Sequence, residues 1–146
     1  MDPSLSPRAT RASLPMALLR AREAVMSHFR PMLDRHGVNE QQWRVIRVLG
    51  EAGVLDASEV AERAHILAPS LTRMIRAMAE RGLIERARDE DDGRRVMLSI
   101  APAGRALLRE VSPDSARIYE ALEARFGQTQ VQQLLTLLDE LSRLKA

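Results

Sequence analysis

The sequence predicts a mainly α-helical fold that carries one small β-wing. Apolar residues recur at three- and four-residue spacing over most of the 146 residues, which is the period of amphipathic helices. One stretch, residues 84–100, instead alternates apolar and polar residues around Asp92-Gly93, the chemistry of a hairpin turn. With 45% apolar residues, the chain suits one domain plus helices that pair with a second subunit.

The first predicted helix begins at Ser13, a good N-cap, with Pro15 in its first turn, and it ends near Gly37. Pro31 falls inside this pattern, so we expect it to bend or break the last turns. Residues 1–12 lack periodicity and are interpreted as a mobile N-terminal arm. The apolar stripe of the helix consists of Leu14, Leu18, Ala21, Val25, Phe29 and Met32.

The second predicted helix begins at Asn39, with Gln42 as its capping-box partner, and ends before Gly53. Its predicted inner face is Trp43, Ile46 and Leu49. Trp43 is the only tryptophan of the chain. It either packs in the core or lines a ligand cavity.

Two short helices and a hairpin follow between Asp56 and Ile100. Asp56 is a plausible N-cap for the first, with Glu59 three residues on. The second helix is predicted from Pro69 to Arg81, with Ala68 as a weak N-cap and Gly82 as its stop. Its inner stripe is Leu71, Ile75 and Met78, while Val60 and Ala61 point inward from the preceding helix.

The hairpin consists of predicted strands 84–88 and 95–100, joined by the Asp92-Gly93 turn. Two short helices followed by a hairpin are typical of a winged helix-turn-helix domain, whose second helix enters the major groove of DNA. We therefore predict a winged helix-turn-helix DNA-binding domain over residues 38–101.

Charge supports this interpretation locally rather than globally, because the net charge is only +2. The stretch from Arg63 to Arg88 contains six arginines and only two acidic residues, Glu80 and Glu85. The polar residues on the outer face of the second helix are Ser70, Thr72, Arg73 and Arg76. The alternative is that this basic helix is merely a solvated face.

The C-terminal part is predicted to be helical and to dimerise. Pro102 opens a helix to Val111, where residues 112–114 interrupt it; Pro113 either starts a new segment capped by Ser112 or kinks one long helix. Thr129 can cap the final helix. Its apolar residues are Val131, Leu134, Leu135, Leu137, Leu138, Leu141 and Leu144. This face needs a partner, so residues 13–37 and 102–146 are predicted dimerisation helices of a homodimer. The alternative is packing on the chain's own DNA-binding domain.

Composition excludes several classes of protein. The absence of cysteine excludes disulfides and thiol redox sensing, and there is no long apolar run or signal-like start, so we expect a cytoplasmic protein without membrane association. His28, His36 and His65 lie on separate predicted elements and show no metal spacing. We expect no enzyme, no metal and no cofactor.

The run VAERAHILAPSLTRMIRAMAERGLIERARDEDDGRRVMLSIAPAG resembles the core of the MarR family of dimeric transcription regulators. In that family the wing carries a D-x-R-D-x-R pattern whose last arginine enters the minor groove, oriented by the second aspartate. Asp89, Asp92 and Arg94 match this pattern, and Asp91 stands where the middle arginine is expected. The resemblance thus implies DNA contacts by Asp92 and Arg94, with Arg88 or Arg95 replacing the middle arginine.

The flanking runs ALLRAREAVMSHFRP and EQQWRVIRVL are similar, more narrowly, to the subgroup that represses homoprotocatechuate-degradation operons. The resemblance implies a ligand-responsive repressor of an aromatic-acid catabolism operon that binds a pseudo-palindromic DNA operator. It also implies an effector cavity for a small aromatic carboxylic acid. The candidate ligand-binding residues are Arg22, Ser27, His28, Trp43 and Arg47, with Arg22 favoured as the carboxylate partner.

Alternatives remain for these residues and for the chain. Each arginine near the expected cavity can instead form a salt bridge between subunits or face solvent. A winged helix can also serve as a protein–protein interaction module, which predicts no retention on DNA. A helical scaffold built on the terminal leucines is the third possibility, and it predicts that the wing is dispensable.

Overall fold

The computed structural model describes residues 9–146, and its six α-helices enclose a three-stranded antiparallel sheet. A short 3-10 helix, Thr10–Ala12, precedes the first α-helix and falls within the predicted arm; residues 1–8 lie outside the described part. The helices are α1 (Leu14–Arg35), α2 (Glu40–Ala52), α3 (Ala57–Ala64), α4 (Ala68–Glu80), α5 (Pro102–Phe126) and α6 (Gln128–Ser142). The strands are β1 (Leu55–Asp56), β2 (Ile84–Arg88) and β3 (Val96–Ile100).

The predicted caps of the first three helices are confirmed. The Ser13 hydroxyl accepts the Met16 amide at 3.4 Å, and Asn39 and Gln42 form the full capping box at 2.8 and 3.0 Å. The Asp56 carboxylate accepts the Glu59 amide at 2.8 Å. These contacts satisfy amides that the first turn of a helix cannot satisfy itself.

The turn after α4 also follows the prediction. Gly82 adopts a φ of 72°, a left-handed conformation that glycine takes without strain. The Leu83 amide then reaches back to the Met78 carbonyl at 3.0 Å, and Leu83 is buried beyond it. This turn carries the chain directly from α4 into β2.

The sheet has the strand order β1-β3-β2, with both pairings antiparallel. Strands β2 and β3 form the predicted hairpin, with Ile84 opposite Ile100 and Arg88 opposite Val96. Strand β1 was not predicted, because two residues are too short to show an alternating pattern. Its pairing of Leu55 with Leu98 joins the start of α3 to the base of the hairpin.

The core lies between α2, α3, α4, the sheet and the adjoining parts of α1 and α5. The predicted inner residues Leu71, Ile75 and Met78 of α4 are buried, as are Val60 and Ala61 of α3. The α1 stripe is divided: Phe29 and Met32 are buried, whereas its first four residues are exposed. On α2 the buried residues are Val45, Ile46 and Leu49, and Trp43 is only partly buried.

Neither proline breaks its helix, so the alternatives of a break at Pro31 and of a new segment at Pro113 are wrong. Helix α1 continues through Pro31, and α5 continues through Pro113 as one helix of 25 residues. Pro113 leaves one carbonyl of the preceding turn without its amide partner, and the Ser112 hydroxyl bonds the Leu108 carbonyl nearby at 2.6 Å. Packing of α5 on α1 and α2 therefore outweighs the local cost of the proline.

Two predicted N-caps are also wrong by one or two positions. Leu67, rather than Ala68, is the N-cap of α4, and its side chain provides no capping hydrogen bond. Gly127 is the N-cap of α6, so Thr129 lies inside the first turn of that helix. Among residues 9–146, no helix has both the length and the apolar character needed to span a bilayer.

Candidate nucleic-acid interface and effector cleft

The turn of the wing holds Arg94 by its backbone and leaves its side chain free. The Asp92 carboxylate accepts the Arg94 amide at 3.0 Å, and the Asp89 carboxylate accepts the Asp91 amide at 3.0 Å. Within the described residues, no hydrogen bond or ion pair holds the Arg94 guanidinium, and the residue is exposed. Asp92 therefore orients Arg94 through the main chain, and the charged end is available to a partner.

Arg95 has the opposite arrangement, because three carboxylates hold its side chain. Its guanidinium lies 2.9 Å from Asp56, 3.3 Å from Asp89 and 3.9 Å from Glu59. The backbone amide of Glu59 lowers the pKa of Asp56 below its ordinary value of 3.8, and Arg95 lowers it further. The predicted DNA-contact residue Arg95 thus lies in a structural cluster that ties the turn end of the hairpin to the start of α3.

Arg88 is also engaged within the wing, since its guanidinium donates to the Gly93 carbonyl at 2.7 Å. Both residues proposed to replace the middle arginine of the wing pattern therefore have internal partners. Arg86 and Arg88 on β2 and Thr72 on α4 line a shallow hollow of about 480 Å³ between the wing and α4. This hollow separates the two elements that are predicted to contact DNA.

The outer face of α4 presents the four predicted polar residues, all of them exposed or half-buried. Arg73 approaches the Ser70 hydroxyl at 3.4 Å, and Arg76 pairs with Glu80 at 3.2 Å across one turn. Exposed pairs of this kind contribute little to stability, so both arginines remain available to a phosphate. The Thr72 hydroxyl donates to the Ala68 carbonyl at 3.0 Å.

A second site is a cleft of about 500 Å³ between α2 and α5. Trp43 and Arg47 line it from α2, and Ser112, Ser115 and Tyr119 line it from α5. Its volume lies in the range of small-molecule sites, about 300–1,000 Å³. Two aromatic rings, an arginine and three hydroxyls are groups that can hold an aromatic acid.

The structure brings together only part of the predicted ligand set. Trp43 and Arg47 share the cleft, but His28 lines a separate recess of about 110 Å³ between α1 and α5. Arg22 forms an ion pair with Glu40, and the Ser27 hydroxyl donates to the Ala24 carbonyl at 2.6 Å. The favoured carboxylate partner, Arg22, is therefore not among the residues that line the larger cleft.

Tyr119 is the cleft residue that the sequence reasoning missed. It lies on α5, and its ring packs at 5.1 Å from the ring of Phe29 on α1 with an interplanar angle of 59°. That tilted packing fixes the ring at the cleft wall. Helical spacing from Ser112 to Tyr119 was the available signal, because a continuous α5 places both residues on one face.

A polar contact joins the C-terminal end of α1 to the middle of α5 beside this cleft. His36, the C-cap of α1, lies 2.8 Å from the Asp114 carboxylate, and both side chains are half-buried. The hydrogen bond with His36 is the main cause that lowers the pKa of Asp114, and Arg117 adds to it. The next residue, Gly37, accepts a hydrogen bond at 2.8 Å from Arg81, the C-cap of α4. One turn thus contacts both the cleft helix and the outer helix of the DNA-binding unit.

Among the described residues, no group of three or more histidine, aspartate or glutamate side chains is arranged to hold a metal ion. What the geometry does provide is a helix-turn-helix, a wing with a free arginine at its tip, and a cleft between the helices behind them. These features define a winged-helix DNA-binding protein.

Comparison with known proteins gives the family. The model of the MarR family matches residues 38–96. The chain is 42% identical over 128 residues to the homoprotocatechuate degradative operon repressor of Escherichia coli, covering 88% of this chain and 86% of that protein. The chain belongs to the MarR family of transcription regulators.

Two solved structures are similar along nearly the whole chain. NadR in complex with 4-hydroxyphenylacetate is 37% identical with a TM-score of 0.80, covering 94% of this chain and 98% of that one. CouR bound to a 23-mer DNA duplex is 27% identical with a TM-score of 0.83, covering 90% and 93%.

Proposed function

We propose that this chain is a cytoplasmic, non-catalytic repressor of an aromatic-acid catabolism operon, released from DNA by a small aromatic carboxylic acid. Residues 38–101 form its DNA-binding domain, and residues 13–37 and 102–146 form the dimerisation helices of a homodimer. The observation that carries the proposal is the cleft of about 500 Å³ lined by Trp43, Arg47 and Tyr119 directly behind the helix-turn-helix. The relatives that bind DNA and 4-hydroxyphenylacetate support both halves of it.

In this proposal two α4 helices of a homodimer enter successive major grooves of a pseudo-palindromic operator. The half-sites lie about one helical turn apart, because that spacing presents both grooves to one face of the dimer. Each Arg94 reaches the adjacent minor groove, where the negative potential attracts an arginine. The DNA contacts are Ser70, Thr72, Arg73, Arg76, Asp92 and Arg94, with Arg88 and Arg95 acting through the shape of the wing.

The effector site is proposed to be the cleft between α2 and α5. Arg47 binds the carboxylate, while Trp43 and Tyr119 form the apolar walls for the ring. This assignment replaces Arg22 by Arg47, because Arg22 is paired with Glu40 whereas Arg47 has only a distant contact with Glu51 at 3.9 Å.

Ligand binding then acts on the angle between α2 and α5. The His36–Asp114 contact and the Arg81–Gly37 hydrogen bond connect that angle to the end of α4. A ligand shifts the dimer between two spacings of α4 only by as much as its affinity differs between them. The spacing that binds the acid better is proposed to be the one that no longer fits adjacent grooves.

The test begins with operator fragments selected by the purified dimer from a random DNA pool. Fluorescence anisotropy then measures DNA affinity against salt and against phenylacetic and hydroxyphenylacetic acids. We expect affinity to fall steeply with salt, because bound phosphates release counterions. We expect one of the acids to release the DNA.

Two matched variants locate the effector site. Arg47→Ala should abolish release by the acid while it leaves the affinity for DNA unchanged. Arg22→Ala, an arginine on α1 outside the cleft, should respond like the unmodified protein. An Arg47→Ala protein that the acid still releases would refute the cleft, and a protein that selects no DNA would refute the regulator itself.

A further inference from the structure

The N-terminal end of α4, which would approach DNA, carries three exposed apolar residues, Leu67, Ala68 and Pro69. Leu67 is 78% exposed, whereas its neighbour Ile66 is buried at 6%. The stripe that anchors α4 starts only at Leu71, which is 1% exposed. The apolar end therefore belongs to the outer surface of the helix and contributes nothing to the core.

A leucine is unfavourable at this position for two independent reasons. It is the N-cap of α4, and its side chain makes no capping hydrogen bond, although serine, threonine, aspartate or asparagine there stabilises a helix by about 1 kcal/mol. It also leaves a large apolar side chain in water. Positions at which a sequence departs from both local rules are often functional sites.

The polar side chains of this end are already engaged within the helix. The Thr72 hydroxyl proton is used by the Ala68 carbonyl at 3.0 Å, and the Ser70 hydroxyl receives the Arg73 guanidinium at 3.4 Å. Pro69 has no amide proton to donate. Apolar carbon of residues 67–69 therefore forms a large part of the exposed surface at this end, beside the hydroxyls of Ser70 and Thr72.

We propose that Leu67 is a specificity-determining residue that recognises a thymine through its 5-methyl group in the major groove. The N-terminal residues of a recognition helix are those that approach base edges. Among the four bases, only thymine displays a methyl group in that groove, and apolar side chains contact it. The leucine is continuous with the proposed DNA surface of Ser70 and Arg73, so this inference rests on the proposed DNA-binding function.

The experiment deletes the methyl group from the DNA and the leucine from the protein, separately and together. Each thymine of the selected operator is replaced in turn by deoxyuridine, which lacks only the 5-methyl group. For the unmodified protein we expect one position in each half-site where this replacement weakens binding about fourfold, and about fifteenfold when both half-sites change.

For Leu67→Ala, we expect weaker binding to the thymine operator and no further loss at those deoxyuridine positions. Coupling between the two deletions is the signature of direct contact. Val54→Ala is the matched control, because Val54 is a 61% exposed apolar residue on the turn before β1. It should retain the full response to deoxyuridine.

The inference would be overturned if deoxyuridine weakened the binding of Leu67→Ala by the same factor as it weakens the binding of the unmodified protein. So would an operator in which no thymine methyl group affects binding. In both outcomes DNA binding itself persists, and the proposed function stands. A protein that selects no DNA at all would instead refute the proposed function, and this inference with it.

Discussion

The segment from α2 to β3 and the terminal helices differ in what covers their apolar side chains. In the first, residues such as Val45, Val60 and Leu98 have no exposed surface, and the core is complete within one chain. In the second, α6 has no buried residue, and Leu135 and Leu137 are 60% and 62% exposed. The N-terminal half of α1 is equally uncovered, with Leu14 and Leu19 at 53% and 58%.

This difference shows that one sequence can specify a segment whose apolar side chains are buried within the chain and, beside it, helices whose apolar side chains remain exposed. Binary patterning is similar in both regions, but in the first the neighbouring elements are close enough in the chain to cover each other. The terminal helices lie at opposite ends of the chain, and their apolar faces exceed what α2 and α5 can bury. The surplus is the surface that a second subunit would cover.

The largest expected effect comes from introducing negative charges on the exposed apolar face of α6. Leu135→Glu combined with Leu138→Glu removes four leucines from a symmetric dimer, each worth about 1.5–3 kcal/mol on burial. We expect the dissociation constant of the dimer to rise at least about a thousandfold. Sedimentation equilibrium measures this change. Val54→Glu, in the segment from α2 to β3, is the control and should leave dimer association unaltered. A double variant that stays dimeric would show that the exposed leucines of α6 are not covered by a second subunit.

The next prediction tests how tightly the core is packed, by adding one methyl group in the first turn of α5. Gly104 lies in that first turn against the Leu83 carbonyl, and an added Cβ would overlap that oxygen and lie 2.9 Å from the Ile100 side chain. Gly104→Ala should therefore destabilise the fold by about 1–3 kcal/mol, the usual range for overpacking. Urea unfolding measures it. Gly93→Ala is the control, because nothing lies within 4 Å of its added Cβ. Equal midpoints for both variants would disprove tight packing at Gly104.

The third prediction separates DNA affinity from stability within the wing. Arg94→Ala should weaken operator binding by roughly 1–3 kcal/mol, with thermal unfolding unchanged, because its side chain is free. Arg95→Ala should instead lower thermal stability through the loss of the Asp56 and Asp89 contacts. Arg109→Ala, an exposed arginine on α5, controls for total charge. Unchanged operator binding by Arg94→Ala would exclude its groove contact.

The smallest effect is the dependence of stability on acid. Asp56 in the segment from α2 to β3 and Asp114 between α1 and α5 both have a lowered pKa. Their stabilisation is complete above the ordinary value of 3.8 and is lost as the pH falls through their folded-state values. We expect unfolding midpoints to decrease below about pH 4. Asp114→Asn should flatten this decrease, and an unchanged profile would show that the His36 contact contributes nothing to it.

Sequence reasoning succeeded where a feature depends on residues close in the chain. The Asn39–Gln42 box, the Asp56 cap and the Gly82 turn each involve partners within a few residues, so spacing alone predicts them. It left two alternatives open at Pro113, where packing by distant elements maintains one helix, and it missed β1, which exists only because Leu98 lies beside it.

The candidate sites show the same limit. Asp92 and Arg94 are two residues apart, and their relation was predictable. The cleft combines Trp43 and Arg47 with Tyr119 from another helix, and no local pattern connects them. The ion pair between Arg22 and Glu40 is likewise a tertiary contact, and spacing along the chain does not reveal it. Whether a given arginine is engaged depends on carboxylates that only the folded chain brings near it.

The cluster around Arg95 has a consequence for the architecture of any operator. Because Asp56 caps α3 while Arg95 anchors the hairpin to it, the wing cannot swing independently of the helices. The distance between Leu67 and Arg94 along the duplex is then expected to stay constant. We expect effectors to change the separation between half-sites while the number of base pairs within each half-site stays constant.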